Sequence, residues 1–133
     1  TGSSSPRDLQ CIAQLRDIDS PPRLLDAVGK LNFGQLVTLL SRCYLYIGPD
    51  TSVTHLAVSV GAPSIALFGP TNPMRWGPMQ STGWPEGGYR KAASSQRLGS
   101  VTILQATSKC VPCGRAGCRD INSSHSECLE KIT

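Results

Sequence analysis

Two short polar segments of the chain combine residue types that suit a ligand with a pyrophosphate. The first is Gly48–His55, reading Gly-Pro-Asp-Thr-Ser-Val-Thr-His, and the second is Gly69–Pro73, reading Gly-Pro-Thr-Asn-Pro. In the first segment, Thr51 or Ser52 can cap a helix that begins there. Unpaired backbone N–H groups at 52–54 would then point outward and bind an anion.

Asp50 and His55 add side chains with different chemistry to the first segment. Asp50 would repel a phosphate, so we expect it to bind sugar hydroxyls or to hold the loop amides. His55 lies four residues after Thr51, on the same helix face, and can donate to a phosphate or a sugar hydroxyl. Each residue also has an ordinary structural explanation, because such junction residues are most often only caps. Their convergence favours function.

Apolar patterning predicts the elements that position these two segments. Strand, helix, strand, helix and strand are expected in turn at Leu24–Val28, 33–42, Tyr44–Ile47, Ser52–Val60 and Ser64–Phe68. Asn32, three residues before Gln35, has the spacing of a capping box. This alternation predicts an α/β fold, a Rossmann-like parallel sheet with flanking helices. Since ligands bind beyond the carboxyl ends of parallel strands, both segments should lie at one rim.

The remaining segments give weaker patterns. A short amphipathic helix is expected at 8–17, and the Pro-, Gly- and Ser-rich stretch 70–99 predicts an irregular excursion. Val101–Leu104 is expected to form a final edge strand, and Glu127–Ile132 a closing helical turn.

Composition narrows the classes of partner. The chain has 133 residues, 39% of them hydrophobic, and a net charge of +4, which fits one folded domain. No run of Lys or Arg is long enough to indicate a duplex-binding surface, and an anionic small molecule or an anionic membrane face explains the charge as well as nucleic acid does. We find no apolar run of membrane-spanning length and no signal peptide, so we expect a cytoplasmic protein, with peripheral association at the inner face of the membrane left open.

Four cysteines near the carboxyl end form a second group of residues that could bind a ligand. Cys110, Cys113, Cys118 and Cys128 can complete a closed tetrahedral zinc site, with His125 as a substitute ligand. Their spacing is not that of two paired CxxC motifs, and reduced thiols or adventitious disulfides explain them as well. The balance favours no bound metal and no required cofactor. Zinc, if present, would be structural.

The stretch Leu36–Pro78, reading LVTLLSRCYLYIGPDTSVTHLAVSVGAPSIALFGPTNPMRWGP, resembles the signature region of glycosyltransferase family 9, the ADP-heptose:lipopolysaccharide heptosyltransferases. The shared pattern is Asp-Thr/Ser-Gly/Ser-x-x-His, a small-residue helix, a strand and Phe-Gly-Pro-Thr-x-Pro. The resemblance covers roughly residues 8–133. It implies the carboxyl-terminal half of a glycosyltransferase-B fold, which holds the nucleotide-sugar donor.

The resemblance also implies roles for individual residues. The implied donor-binding residues are Asp50, Thr51, Ser52, His55, Lys30, Leu31 and Thr71. Asp50, Thr51 and Ser52 would contact the sugar and diphosphate, with His55 supporting them. Many family members carry Gly where this chain has Ser52, which puts the identity of the sugar in doubt. Lys30 and Leu31 would lie beside the nucleoside, with Leu31 against an adenine.

The same resemblance implies what the chain lacks. The catalytic base and the site for a lipopolysaccharide-core acceptor are expected in a missing amino-terminal domain, so this half should be inactive alone. We divide the chain into a linker (1–7), a nucleotide-sugar-binding α/β domain (8–105) and a cysteine-rich tail packed on it (106–133). An alternative is a non-catalytic interaction module with a zinc-stabilised tail. Nucleic-acid binding through Lys109, Arg115 and Arg119 is disfavoured because interleaved aromatics are absent.

Overall fold

A computed structural model describes residues 6, 9–10, 12–13, 25–83, 86–120 and 125–132. The chain divides into two compact units, Thr1–Leu36 and Val37–Thr133. The helices are α1 (Phe33–Ser41), α2 (Ser52–Ser59), α3 (Pro73–Trp76) and α4 (Glu127–Glu130). The strands are β1 (Tyr46–Pro49), β2 (Ser64–Phe68), β3 (Ser95–Leu98) and β4 (Val101–Gln105). The division into linker, domain and tail stays a prediction.

The first unit corrects one predicted strand. Residues 25–27 have no regular structure and 28–30 form a turn, so the strand at Leu24–Val28 is wrong over its described part. Val28 N–H donates to the Asp26 carboxylate over 3.0 Å, and Gly29 has a φ of 65°. A side chain that bonds its own backbone competes with pairing in a sheet, and the left-handed glycine then reverses the chain.

The first unit also contains part of the helix predicted at 8–17 and the capping box predicted before α1. Of the helix predicted at 8–17, the described positions Leu9, Gln10, Ile12 and Ala13 are helical, and the others lie outside the described residues. The capping box before α1 is confirmed. Asn32 Oδ1 accepts from Gln35 N–H and Gln35 Oε1 accepts from Asn32 N–H, each over 2.9 Å. The helix begins at Phe33, as predicted.

The sheet has the order β1-β2-β4-β3. β1 pairs with β2 and β2 with β4 in parallel, whereas β3 pairs with β4 antiparallel. The strand predicted at Tyr44–Ile47 lies two residues later. Pairing begins at Tyr46 opposite Ser64, because the preceding Pro63 has no N–H to donate, and Tyr44 is left 97% exposed. β2 has its predicted bounds, and α2 ends one residue before its predicted end.

Two predictions about the second half of the sheet are corrected. β4 is an interior strand rather than a final edge strand, because β3 covers its far side. β3 itself and α3 both lie inside the stretch 70–99 that we expected to be irregular. A two-residue turn containing Gly99, with a φ of 56°, joins β3 to β4, so the hairpin depends on a glycine in a Ser-rich context.

The core lies beneath β2 and β4. Alternate residues of both strands are buried, and α2 contacts β1 and β2. The core cluster consists of Val58, Ala66, Phe68, Tyr89, Val101 and Ile103. Phe68 at the end of β2 is paired with Gln105 at the end of β4, and Pro49 at the end of β1 with Leu67. The three parallel strands therefore end at a common rim.

Candidate functional site at the carboxyl edge of the sheet

The first loop, residues 50–51, leaves β1 and enters α2 at this rim. Asp50 N–H donates to Leu67 O over 3.2 Å, which ties the loop to β2. Thr51 is the N-cap of α2 in an extended conformation, with φ −146° and ψ 168°, but its side chain makes no capping hydrogen bond. The Thr51 side chain thus caps no first-turn amide, although the sequence favoured Thr51 or Ser52 as a cap. Thr54 N–H instead donates to Thr51 O over 3.0 Å, so the prediction of unpaired amides at 52–54 is wrong for Thr54.

An acidic and a basic side chain meet beside these amides. His55 Nε2 lies 3.6 Å from Asp50 Oδ1, with the His55 side chain 43% exposed and the Asp50 side chain 17% exposed. At that separation the contact is electrostatic rather than a hydrogen bond. His55 N–H also donates to Thr51 O over 3.2 Å, so all three residues belong to one turn. The turn therefore carries a carboxylate, an imidazole and a hydroxyl that makes no capping bond, beside the Ser52 and Val53 amides.

A buried network fixes the base of this loop. Tyr46 Oη lies 2.9 Å from Thr54 Oγ1, and Thr54 donates its hydroxyl proton to Pro49 O, so Tyr46 is the donor of the first bond. Thr54 is 1% exposed. A Cβ on Gly48 would overlap the Tyr46 ring, so only glycine lets that ring lie across the strand. The network joins β1 to α2 directly below the open turn.

The second loop, residues 69–72, leaves β2 and is held from several sides. Gln105 Nε2 donates to Gly69 O over 3.0 Å and to Thr71 O over 2.8 Å, and Gln105 is only 2% exposed. Asn72 Oδ1 accepts from Met74 N–H over 3.0 Å and caps α3. All four carbonyls of this loop accept hydrogen bonds, from Gln105, from Gly114 N–H and from amides of α3.

Thr71, the weakest of the implied donor contacts, belongs to that held loop. Its hydroxyl oxygen is buried, and within the described part of the chain neither it nor Gln105 Oε1 has a hydrogen-bond partner. A ligand would reach the Thr71 hydroxyl only if the loop moved. Its assignment as a donor contact stays a prediction.

Lys30 and Leu31, the implied nucleoside contacts, lie in the first unit. Lys30 N–H donates to Ala27 O over 3.3 Å, and its ammonium donates to Asp26 O over 2.9 Å. The same ammonium lies 3.9 Å from the Asp26 carboxylate. Leu31 is half-buried. Within their own unit, Lys30 closes a turn with its backbone and side-chain hydrogen bonds, and Leu31 follows that turn.

The cysteine tail contributes a separate cleft of about 570 Å³. Its lining consists of Pro70, Ser108, Lys109, Cys110, Cys113, Arg115, Gly117, Cys118, Ser126, Glu127, Cys128 and Lys131. Cys128 is 7% exposed, whereas the other three thiols are exposed. Burial raises the pKa of the Cys128 thiol, and the neighbouring thiols Cys113 and Cys118 raise it further.

The tail also contacts the second loop. Gly114 N–H donates to Pro70 O over 2.8 Å. A Cβ on Gly69 would lie 2.9 Å from Leu129 Cγ and 3.4 Å from Cys128 Sγ, so the tail packs directly on that backbone. His125, the predicted substitute ligand, instead pairs with Glu130 over 2.9 Å.

Sequence reasoning missed the residues that support the two loops. Tyr46 and Thr54 fix the base of the first loop, and Gln105 holds the second. A signal for Gln105 was available, since it is a polar residue at a buried position of the alternating strand Val-Thr-Ile-Leu-Gln. Its partners could not be read from the sequence because they lie 34 and 36 residues away.

The chain is similar in sequence to a family of known enzymes. Residues 3–96 match the model of glycosyltransferase family 9 (heptosyltransferase). The lipopolysaccharide heptosyltransferase 3 of Escherichia coli strain K12 is 28% identical over 130 residues, which covers 84% of this chain and 36% of that protein. Another Escherichia coli lipopolysaccharide heptosyltransferase 3 is 34% identical over 71 residues, covering 53% of this chain and 21% of that protein. The lipooligosaccharide heptosyltransferase 2 of Haemophilus influenzae is 34% identical over 55 residues, covering 41% and 16%.

These matches leave most of each relative unaccounted for, since the chain spans 21% and 36% of the two Escherichia coli proteins. No solved structure matches the chain. Over the residues described, no helix is long and apolar enough to cross a membrane. The family model nevertheless covers well over half of the chain, and its match includes both loops of the rim. The chain therefore belongs to glycosyltransferase family 9, the heptosyltransferase family.

Proposed function

We propose that this chain is the carboxyl-terminal, donor-binding part of a heptosyltransferase that acts in lipopolysaccharide core synthesis. The donor is a nucleotide-sugar, with ADP-heptose as the first candidate from the family resemblance. The observation that carries the proposal is the turn at the start of α2, where Asp50 and His55 meet beside the Ser52 and Val53 amides and the Thr51 side chain makes no capping bond.

Two kinds of group in this turn bind different parts of the donor. Amides at the start of α2 and the positive end of its dipole bind the diphosphate. Asp50 cannot contact phosphate favourably, so its carboxylate accepts hydrogen bonds from sugar hydroxyls. His55 lies within reach of the Asp50 carboxylate and orients it.

The reaction follows from this division. An acceptor hydroxyl on the lipopolysaccharide core loses its proton to a carboxylate base in the rest of the enzyme and attacks the anomeric carbon. The bond from that carbon to the diphosphate oxygen breaks in line, and its electron pair leaves with the diphosphate. The α2 amides stabilise the charge on the leaving group, and the loop holds the sugar in place. No residue of this chain acts as the base.

The acceptor and the location follow from the same proposal. A lipopolysaccharide-core acceptor is membrane-attached, so the enzyme works in the cytoplasm at the inner face of the membrane. The chain's net charge of +4 suits a surface rich in anionic lipid. The alternative, a non-catalytic interaction module, requires no nucleotide binding at the rim.

Titration of the chain with ADP, UDP, GDP and ADP-heptose, followed by amide NMR shifts, tests the proposal. We expect ADP and ADP-heptose to shift the amides of residues 50–55 before those elsewhere. If none of the four ligands perturbs these amides at millimolar concentration, the donor-site assignment fails.

A matched pair of variants separates the sugar contact from the diphosphate contact. Asp50→Asn should weaken ADP-heptose binding about tenfold, equivalent to about 1.4 kcal/mol, and should not weaken ADP binding. Glu86→Gln, a charge-neutralising change at an exposed position, should leave both affinities unchanged. Equal loss of both ligands in Asp50→Asn would contradict the sugar role.

A further inference from the structure

Four of the five cysteines in the described part of the chain line the same cleft. Cys110, Cys113, Cys118 and Cys128 all belong to it, whereas Cys43 lies elsewhere, beyond the end of α1. The four are spread over 19 residues of sequence, so the fold of the tail brings them together.

The backbone of the tail turns between two of these cysteines and is linked by a hydrogen bond beside a third segment of the tail. Gly114 and Gly117 have φ angles of 70° and 92°, which turn the chain between Cys113 and Cys118 in a way that other residues rarely permit. Cys118 N–H donates to His125 O over 2.9 Å, which brings the two arms of the tail together. Glu127 N–H donates to Cys118 Sγ over 3.4 Å, which places the start of α4 beside Cys118.

Basic side chains outnumber acidic ones in the lining of the cleft. Lys109, Arg115 and Lys131 line it together with one carboxylate, Glu127. Lys131 is paired with Glu127 over 3.1 Å, and in the described ranges Lys109 and Arg115 form no ion pair. A divalent ion bound by four thiolates carries a net charge of −2. Lys109 and Arg115, which line the cleft, would offset this charge.

We propose that Cys110, Cys113, Cys118 and Cys128 form a structural tetrathiolate site for zinc. Four thiolates suit the closed tetrahedral coordination of structural zinc and leave no open position for chemistry. Binding replaces four thiol protons, which pass to the solvent, with one Zn²⁺, and no oxidant or reductant is needed.

The site closes by movement of its exposed members. As the described residues stand, no three His, Cys, Asp or Glu side chains are placed to share a metal ion. Cys110, Cys113 and Cys118 are exposed and lie outside helices and strands, so their side chains can rotate. Cys128, buried on α4, is the fixed ligand around which they gather.

Zinc at this position would act on the second loop of the rim. Gly114, directly after Cys113, donates to Pro70 O, and Cys128 with its neighbour Leu129 packs on Gly69. Fixing the four sulfurs therefore fixes two contacts with that loop. This consequence is independent of the ligand that the first loop binds.

Metal analysis of the reduced chain, purified without chelator, tests the site. We expect one equivalent of zinc, and after exchange with Co²⁺ the visible bands of a tetrahedral cobalt thiolate. Removal of zinc by a chelator should accelerate hydrogen exchange of the Gly114 amide. Substoichiometric metal in protein with four reduced tail thiols would overturn the proposal, as would a disulfide between any two of them.

Variants distinguish the cluster from adventitious binding. Cys113→Ser and Cys118→Ser change exposed positions, so they should fold while losing at least tenfold in zinc affinity. Cys43→Ser removes the cysteine outside the cleft and should keep full affinity. Equal losses in all three variants would contradict a specific site, and so would unchanged affinity in both tail variants.

Discussion

The two loops at the rim begin alike in sequence but differ in how the fold holds them. Gly-Pro ends β1 directly before the first loop and opens the second loop directly after β2, and both loops lead into a helix. The first follows the edge strand β1 and keeps its polar groups on the surface around Asp50 and His55. The second follows the central strand β2, and its carbonyls accept hydrogen bonds from Gln105 and Gly114.

The difference shows where each loop is free to act. The Gly69 and Thr71 carbonyls already accept hydrogen bonds from Gln105. In the first loop, by contrast, the Thr51 side chain caps no amide of α2, so a ligand can supply an acceptor there. The first loop suits binding, and the second suits support of the rim. Three pairs of variants test this difference.

The largest effect is expected at Gln105. Gln105→Leu removes both donors to the second loop and leaves two carbonyls, of Gly69 and Thr71, without their partner. We expect a loss of about 3 kcal/mol in the free energy of unfolding, measured with urea. Gln96→Leu is the matched control, because the bonds of Gln96 to Arg90 are exposed. An equal loss in both variants would contradict a special role for the second loop.

A smaller, pH-dependent effect is expected at Tyr89, which anchors the stretch after the second loop. Tyr89 is 3% exposed and donates to Pro78 O over 3.0 Å, and burial raises its pKa from 10.0 to about 12. The unfolded chain therefore releases this proton first as pH rises. The stabilisation is complete below pH 10 and falls by roughly 2 kcal/mol as the pH rises to 12.

Comparison of variants isolates that contribution. Tyr89→Phe should be about 1 kcal/mol less stable at neutral pH and should lose less stability between pH 10 and 12 than the unmodified chain. Tyr44→Phe, at a position 97% exposed, should follow the unmodified chain throughout. If Tyr89→Phe shows the same decline as Tyr44→Phe, the Tyr89 hydroxyl does not cause it.

The smallest effects compare the helix caps of the two loops. Asn72→Ala removes the cap of α3 and should cost about 1 kcal/mol. Thr51→Ala removes a hydroxyl that caps nothing and should cost less than about 0.5 kcal/mol. Urea unfolding of both variants measures the difference. Should Thr51→Ala be the more destabilising, the first loop is not an open turn.

Local patterns predicted the central β-α-β unit well. Apolar runs ending at Gly-Pro or Gly-x-Pro placed α2 and β2 almost to the residue, and the Asn32–Gln35 spacing gave the start of α1. Local signals failed where a nearby side chain or a long-range partner decided the outcome. Asp26 turned a predicted strand into a turn, and Pro63 set the start of β1.

Residue types and their spacing along the chain suffice to predict the polar composition of both rim loops, the order of the central elements and the family. Three other features are visible only in the folded chain: β3 covers β4, Gln105 holds the second loop while the first stays open, and four thiols share a cleft. Those outcomes depend on groups tens of residues apart in sequence, and the packing of the folded chain brings them together.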